Sequence, residues 1–194
     1  MGRSSKEQSV ISRRHIVENA SRLFRANGID NVSISDVMKA TGMTTGGFYK
    51  HFESKEALAA EAADLAFTDA SNNWQKIQTS VQSITASQAD IASYYLTPVS
   101  GKQRCPMISL GSDIRQSDDE DLKACYTKGL KSLLESFVKA GGSDGLNSAP
   151  ERDLALFAAM IGASYLNEVI ADRGLAEQFA KAVQQLITVA EQGS

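Results

Sequence analysis

Ser33-Ile34-Ser35-Asp36-Val37-Met38-Lys39-Ala40-Thr41-Gly42-Met43-Thr44-Thr45-Gly46-Gly47-Phe48-Tyr49-Lys50-His51-Phe52-Glu53-Ser54-Lys55-Glu56-Ala57-Leu58 reads as two short helices and the start of a longer one. Ser33 with Asp36 three residues on is an acidic capping box. Ile34, Val37 and Met38 behind it share one face. Gly42 ends that helix, and Thr41-Gly42-Met43 forms a tight turn. A third helix begins at Thr44 and carries Phe48 and Tyr49, and Ser54 caps a fourth through Leu58, Ala62, Leu65 and Ala66. The pair joined at Gly42 is a helix-turn-helix. Its second helix presents Thr44, Thr45, Tyr49, Lys50 and His51, all hydrogen-bond donors, while Gly46 and Gly47 let the backbone come close to a partner. Small residues for close approach, with hydroxyls and a cation for phosphates and base edges, are what a recognition element in a major groove requires.

Working outward, Ile16, Ala20, Leu23 and Phe24 form a helical stripe, with Ser12 as its expected N-cap and Asn27-Gly28 as its stop. Ile16-Val17-Glu18-Asn19-Ala20, Leu23-Phe24, Gly28-Ile29, Ser33 to Val37 and above all Gly42 to Leu58 resemble the TetR family of one-component bacterial repressors. The likeness covers about residues 9–60, and Gly47-Phe48 departs from the commoner Leu-Tyr or Ile-Tyr ending by one apolar exchange. The resemblance implies an all-α fold of nine or ten helices: a DNA-binding head at residues 1–53 and a ligand-binding and dimerisation body at residues 54–194. Carried over by position, Thr44, Thr45 and Gly46 would face base edges or phosphates, and Tyr49 and His51 would bond the DNA backbone. Lys55 would neutralise a phosphate, and Ser33 and Ser35 would meet one at a helix N-terminus. Phe48 and Phe52 are assigned to the head's core, and Arg3, Lys6, Arg13 and Arg14 to a basic arm.

Charge supports a divided chain. Residues 1–60 hold nine Lys/Arg against six Asp/Glu, a net +3, whereas residues 61–194 hold eleven against seventeen, a net −6. A basic head on an acidic body directs any polyanionic partner to the head. The only histidines are His15 and His51, and the two cysteines, Cys105 and Cys125, stand alone, so His-based triads and zinc sites are excluded from the body. No metal and no cofactor is expected, and catalysis is disfavoured. The polar start, Met1 to Arg14, lacks the apolar core of a signal peptide, and no apolar run of membrane-spanning length occurs, so a cytoplasmic protein is expected.

The body reads as further helices. Gln88 to Leu96 stops before Pro98, Ser100-Gly101-Lys102 is a loop, and Pro106 opens a helix with Cys105 in its first turn. Leu122 to Val138 form another helix, Gly141 to Pro150 a loop, and two final helices carry Leu154 to Tyr165 and Leu175 to Ile187. Trp74, Tyr94, Tyr95, Cys105, Met107, Phe137, Phe157 and Tyr165 are candidate lining for a small, mostly apolar effector, with Ser164 and Asn167 as polar anchors. Phe157, Ile161, Tyr165, Phe179, Val183 and Leu186 are the candidate homodimer face. Arg104-Cys105-Pro106-Met107-Ile108 also looks like a stretch of a TetR subfamily, some of whose members sense electrophiles or oxidants. Two readings therefore stand beside effector-released binding of a palindromic operator. One is redox sensing through Cys105; the other is an all-helical small-molecule-binding protein whose head makes only protein contacts.

Overall fold

A computed structural model describes residues 2–80, 87–97 and 105–192. Among them the chain is helical with no strand: α1 (Gly2–Asn27), α2 (Ile34–Ala40), a 3-10 segment (Thr45–Lys50), α3 (Lys55–Ser80), α4 (Gln88–Leu96), α5 (Pro106–Ser109), α6 (Gly111–Gln116), α7 (Glu120–Ala140), a short 3-10 turn (Leu146–Ser148), α8 (Glu151–Val169) and α9 (Arg173–Gln192). No helix among the described residues is long and apolar enough to cross a membrane. The expected loop at 100–102 lies outside the described residues.

Helix ends fall where local chemistry places them, with three exceptions. α1 starts at Gly2 rather than after Ser12, because residues 3–27 contain no glycine or proline to interrupt it and Ser12 sits within the helix. The segment expected as a helix from Thr44 to His51 is 3-10: Gly47 N–H bonds Thr44 O at 2.9 Å and His51 N–H bonds Phe48 O at 2.8 Å, a tighter winding that suits the Gly46-Gly47 pair. Cys105 precedes α5 as its cap residue, with Pro106 in the first turn.

The chain divides into two compact units, Met1–Asp69 with Ser100–Gly129, and Ala70–Val99 with Leu130–Ser194. The first unit therefore extends past residue 53 and takes in the first part of α3 together with α5, α6 and the start of α7. Its core joins Ile16, Ala20 and Phe24 of α1, Val37 and Met38 of α2, Phe48, Phe52, and Leu58 and Ala62 of α3 to Leu110 and Leu122. α7 comes close to α3 only because residue 129 is glycine, where a Cβ would lie 2.2 Å from the Phe67 ring. Tyr126 on α7 donates to Met107 O at 2.6 Å and so ties α7 to α5.

In the second unit Trp74, Tyr95, Phe137 and Phe157 pack together. Ring centroids are 6.2 Å apart for Trp74 and Tyr95, 6.5 Å for Trp74 and Phe157, and 5.5 Å for Phe137 and Phe157. α4 is anchored by one buried and two partly buried polar bonds. Gln88 donates to Phe137 O at 3.2 Å, Gln184 of α9 donates to Ala89 O at 2.9 Å, and Glu191 accepts from Ala89 N–H at 3.1 Å.

Asp113 of α6 lies against the loop between α1 and α2. Burial pushes its carboxyl up; the backbone N–H groups of Ile29 and Asp30 and the charge of Lys55 oppose this, and the charge of Asp30 reinforces it. The net shift is upward, so the folded chain holds this proton more tightly than the unfolded one. Its contribution to stability is present below the ordinary value of 3.8 and is lost as pH rises through the raised value. Thermal unfolding followed against pH should show that fall in the wild type minus the part that persists in Asp113→Asn. Identical pH profiles for the two would contradict it.

Candidate nucleic-acid interface

The site is built on the first unit. The Ser33 hydroxyl accepts from Asp36 N–H at 3.1 Å and donates to Asp36 Oδ2 at 2.6 Å, and Ser33 N–H donates to the same oxygen at 2.9 Å. These bonds, the side-chain one first, hold the Asp36 carboxyl below the usual carboxylate range. Ser33, expected to offer its hydroxyl to phosphate, thus spends that proton on Asp36, whereas Ser35 is exposed. At the other end of α2, Met43 N–H reaches Met38 O at 2.9 Å and Gly42 N–H reaches Lys39 O at 3.1 Å. Gly42 at φ +71° makes that paired closure possible. It turns the chain directly into the 3-10 segment.

Within that segment Phe48 alone turns inward. Phe48 is fully buried and stacks on Phe52, with centroids 5.6 Å apart, as the sequence leads one to expect. Thr44, Thr45, Gly46 and Lys50 are exposed, Tyr49 is 68% exposed, and His51 is half-buried. The Tyr49 ring stands edge-on to Phe48 at 5.2 Å, so its hydroxyl is carried by a ring braced on the core. Thr44 makes no capping bond to the segment it precedes. Lys55, at the start of α3 and half-buried, lies within electrostatic reach of Asp113. Ser54 caps α3 by accepting from Ala57 N–H at 3.1 Å.

The expected basic arm is helical. Lys6 and Arg14 are exposed, and Arg14 pairs with Glu18 at 2.9 Å. Arg13 is not part of an open arm: both its terminal nitrogens engage the two carboxylate oxygens of Glu61. Glu61 carries no local sequence signal for this role, since the partners are 48 residues apart.

The residues expected to line an effector pocket fall in both units. Trp74, Tyr95, Phe137 and Phe157 form the aromatic core of the second, Met107 is buried in the first, and Tyr94 and Tyr165 are exposed. Ser164 and Asn167 are half-buried on α8. Cys105 is half-buried in the first unit, within electrostatic reach of Arg25, whose guanidinium burial holds below its usual value. Burial, with a smaller contribution from Cys105, pushes the Tyr126 hydroxyl up to about 12. Cys125 is pushed upward mainly by burial and bonds Ala60 O at 3.2 Å. No group of three or more His, Cys, Asp or Glu suited to a metal occurs among the described residues.

Of the residues assigned to a dimer face, Tyr165, Phe179 and Leu186 are exposed, and Ile161 and Val183 are half-buried. Phe157 is the correction: it is only 5% exposed, turned inward on Trp74 and Phe137. Leu154, Val169, Leu175 and Val189 extend the exposed apolar face beyond the expected set.

Residues 16–62 match the family described as bacterial regulatory proteins, tetR family. The HTH-type transcriptional regulator AcrR of Shigella flexneri is 36% identical over 66 residues, which is 34% of this chain and 31% of that protein. The matched segment thus spans about a third of that curated relative. Likeness of fold extends over nearly the whole chain. The reduced form of Escherichia coli NemR superposes with a TM-score of 0.73 at 17% identity, covering 91% of this chain and 96% of its own. A TetR-family transcriptional regulator from Cytophaga hutchinsonii gives 0.72 at 20% identity, covering 94% and 96%. Residues 16–62 are thus similar to the helix-turn-helix segment of bacterial regulatory proteins of the tetR family, and the fold of the chain is shared with these solved regulators.

Proposed function

We propose that the protein is a homodimeric transcriptional repressor that binds a palindromic operator and releases it when a small, mostly apolar effector occupies the body. The observation that carries this reading is the outward face of the 3-10 segment. Thr44, Thr45, Gly46, Tyr49 and Lys50 are exposed on a segment whose other side, Phe48, is locked in the core. Two such heads on a two-fold axis would read half-sites ~34–36 Å apart or a multiple of that spacing. The acidic body, with no cluster of basic residues assigned to an anion, suits an apolar effector over a phosphorylated one.

Gel-shift titrations test the head. Tyr49→Ala, His51→Ala and Lys55→Ala should weaken binding to a duplex of the DNA flanking the gene and to a scrambled duplex alike, because their partners are phosphates. Thr45→Ala should instead change preference at particular base pairs by about 1–3 kcal/mol. Unchanged affinity in both His51→Ala and Lys55→Ala would remove those assignments. A wild-type protein that binds no duplex at any salt would favour a head making only protein contacts.

A second reading is favoured by one observation, the nearness of the Arg25 cation to Cys105, since a neighbouring cation favours a thiolate. In that reading oxidation or alkylation of Cys105 replaces reversible effector binding. Cys105→Ser should then keep duplex affinity and lose release by a small electrophile such as N-ethylmaleimide. Release that persists in the variant, with Cys125 also replaced, counts against it.

A further inference from the structure

We infer that Arg13 is a positioning residue for DNA binding, clamped by Glu61 onto Phe52 so that it braces the recognition segment instead of touching phosphate. The inference rests on the head's being a DNA-binding element. Arg13 lies one turn before Ile16 and Val17, which pin α1 in the core of the first unit. Its guanidinium uses two recognition surfaces at once. One edge makes a two-pronged ion pair with both carboxylate oxygens of Glu61 on α3. One face covers the Phe52 ring, with the central carbon 4.3 Å from the ring centroid. Phe52 in turn stacks on Phe48, and Phe48 meets the edge of Tyr49. An unbroken series of contacts therefore runs from α3 and α1 to the ring that carries an exposed hydroxyl of the candidate interface.

The two side chains remain about 40% exposed, and most ion pairs so placed contribute little. A forked, stacked arginine is the exception, because its planar group is pre-organised for both contacts, which lysine cannot reproduce. The ion pair also cancels the charge of each partner. Glu61 so placed is no longer a simple repulsion toward DNA, and Arg13 is no longer a simple attraction.

That cancellation makes the two roles of Arg13 give opposite results. If Arg13 contacted phosphate, Glu61→Gln would tighten duplex binding and Arg13→Gln would lower the slope of log affinity on log salt by about 0.9. Arg13→Lys would then retain most of the affinity. The clamp instead requires that Arg13→Gln and Glu61→Gln each weaken binding about tenfold, that the double variant be no worse than either, and that Arg13→Lys fail to rescue. The salt slope should stay at the wild-type value.

The measurement is fluorescence anisotropy on a duplex of the DNA flanking the gene, across a salt series, with each variant well below its melting temperature by circular dichroism. Tighter binding by Glu61→Gln, a reduced salt slope in Arg13→Gln, or a lowered melting temperature with unchanged affinity would each overturn the inference. Wild-type protein that binds no duplex overturns the DNA-binding reading itself. Wild-type binding with unaffected variants overturns the clamp alone.

Discussion

Replacing Leu186 with arginine is expected to leave the chain monomeric at micromolar concentration and to weaken duplex binding by about 10²-fold or more. Leu186 is 55% exposed on α9, and Leu175, Phe179 and Val189 share its face at helical spacing. α8 packs on α9 and presents Leu154, Ala158, Ile161, Gly162, Tyr165 and Val169 along one stripe, while Leu156, Met160 and Ala163 face inward. Exposed apolar side chains gathered into adjoining stripes mark an interface, and small residues within one stripe let another helix approach. A two-fold interface places the same substitution in it twice, so two uncompensated guanidinium groups would be buried per dimer. Because Leu186 is exposed in the single chain, the substitution leaves the core intact, which Ile161→Arg would not do as cleanly. Sedimentation velocity reads the assembly and gel shift reads the DNA. A variant that stays dimeric would show that this face is not where two copies meet.

Trp74→Ala should lower the unfolding free energy by about 3–5 kcal/mol, the range for deleting a large aromatic from a packed interior. Trp74 is 2% exposed and stands edge-on to both Tyr95 and Phe157, so its removal leaves a void bounded by rings that cannot all close on it. Indole added to the variant should restore part of the loss by filling that space. The alternative makes a different demand. If Trp74 were the wall of an existing effector pocket, its truncation would change release by effector far more than it changed stability. Chemical denaturation of wild type and variant, with and without indole, separates the two. A loss below about 1 kcal/mol would return Trp74 to the pocket wall.

The sequence by itself determined those features that arise between residues three or four apart. Ser33 with Asp36, Gly42 after Thr41, Ser54 before α3 and the bounds of α4 at residues 88 and 96 were all legible, because caps and helical stops are made by neighbours in the chain. Phe48 and Phe52, four residues apart and assigned to the head's core, are buried beneath exposed Thr44, Thr45 and Tyr49. Tertiary structure decided what depends on direction and distance. Phe157 sits on the same helix as Ile161 and Tyr165, and only the positions of Trp74 and Phe137 turn it inward. Arg13 looked like one more cation in a polar arm, and only the packing of α1 on α3 brings it to Glu61 and Phe52. Residues 100–129 joined the head's unit for the same reason, since Leu110 and Leu122 complete a core begun a hundred residues earlier. Helical periodicity fixes which residues share a face, but which face meets which neighbour is settled by burial of apolar area across the whole unit.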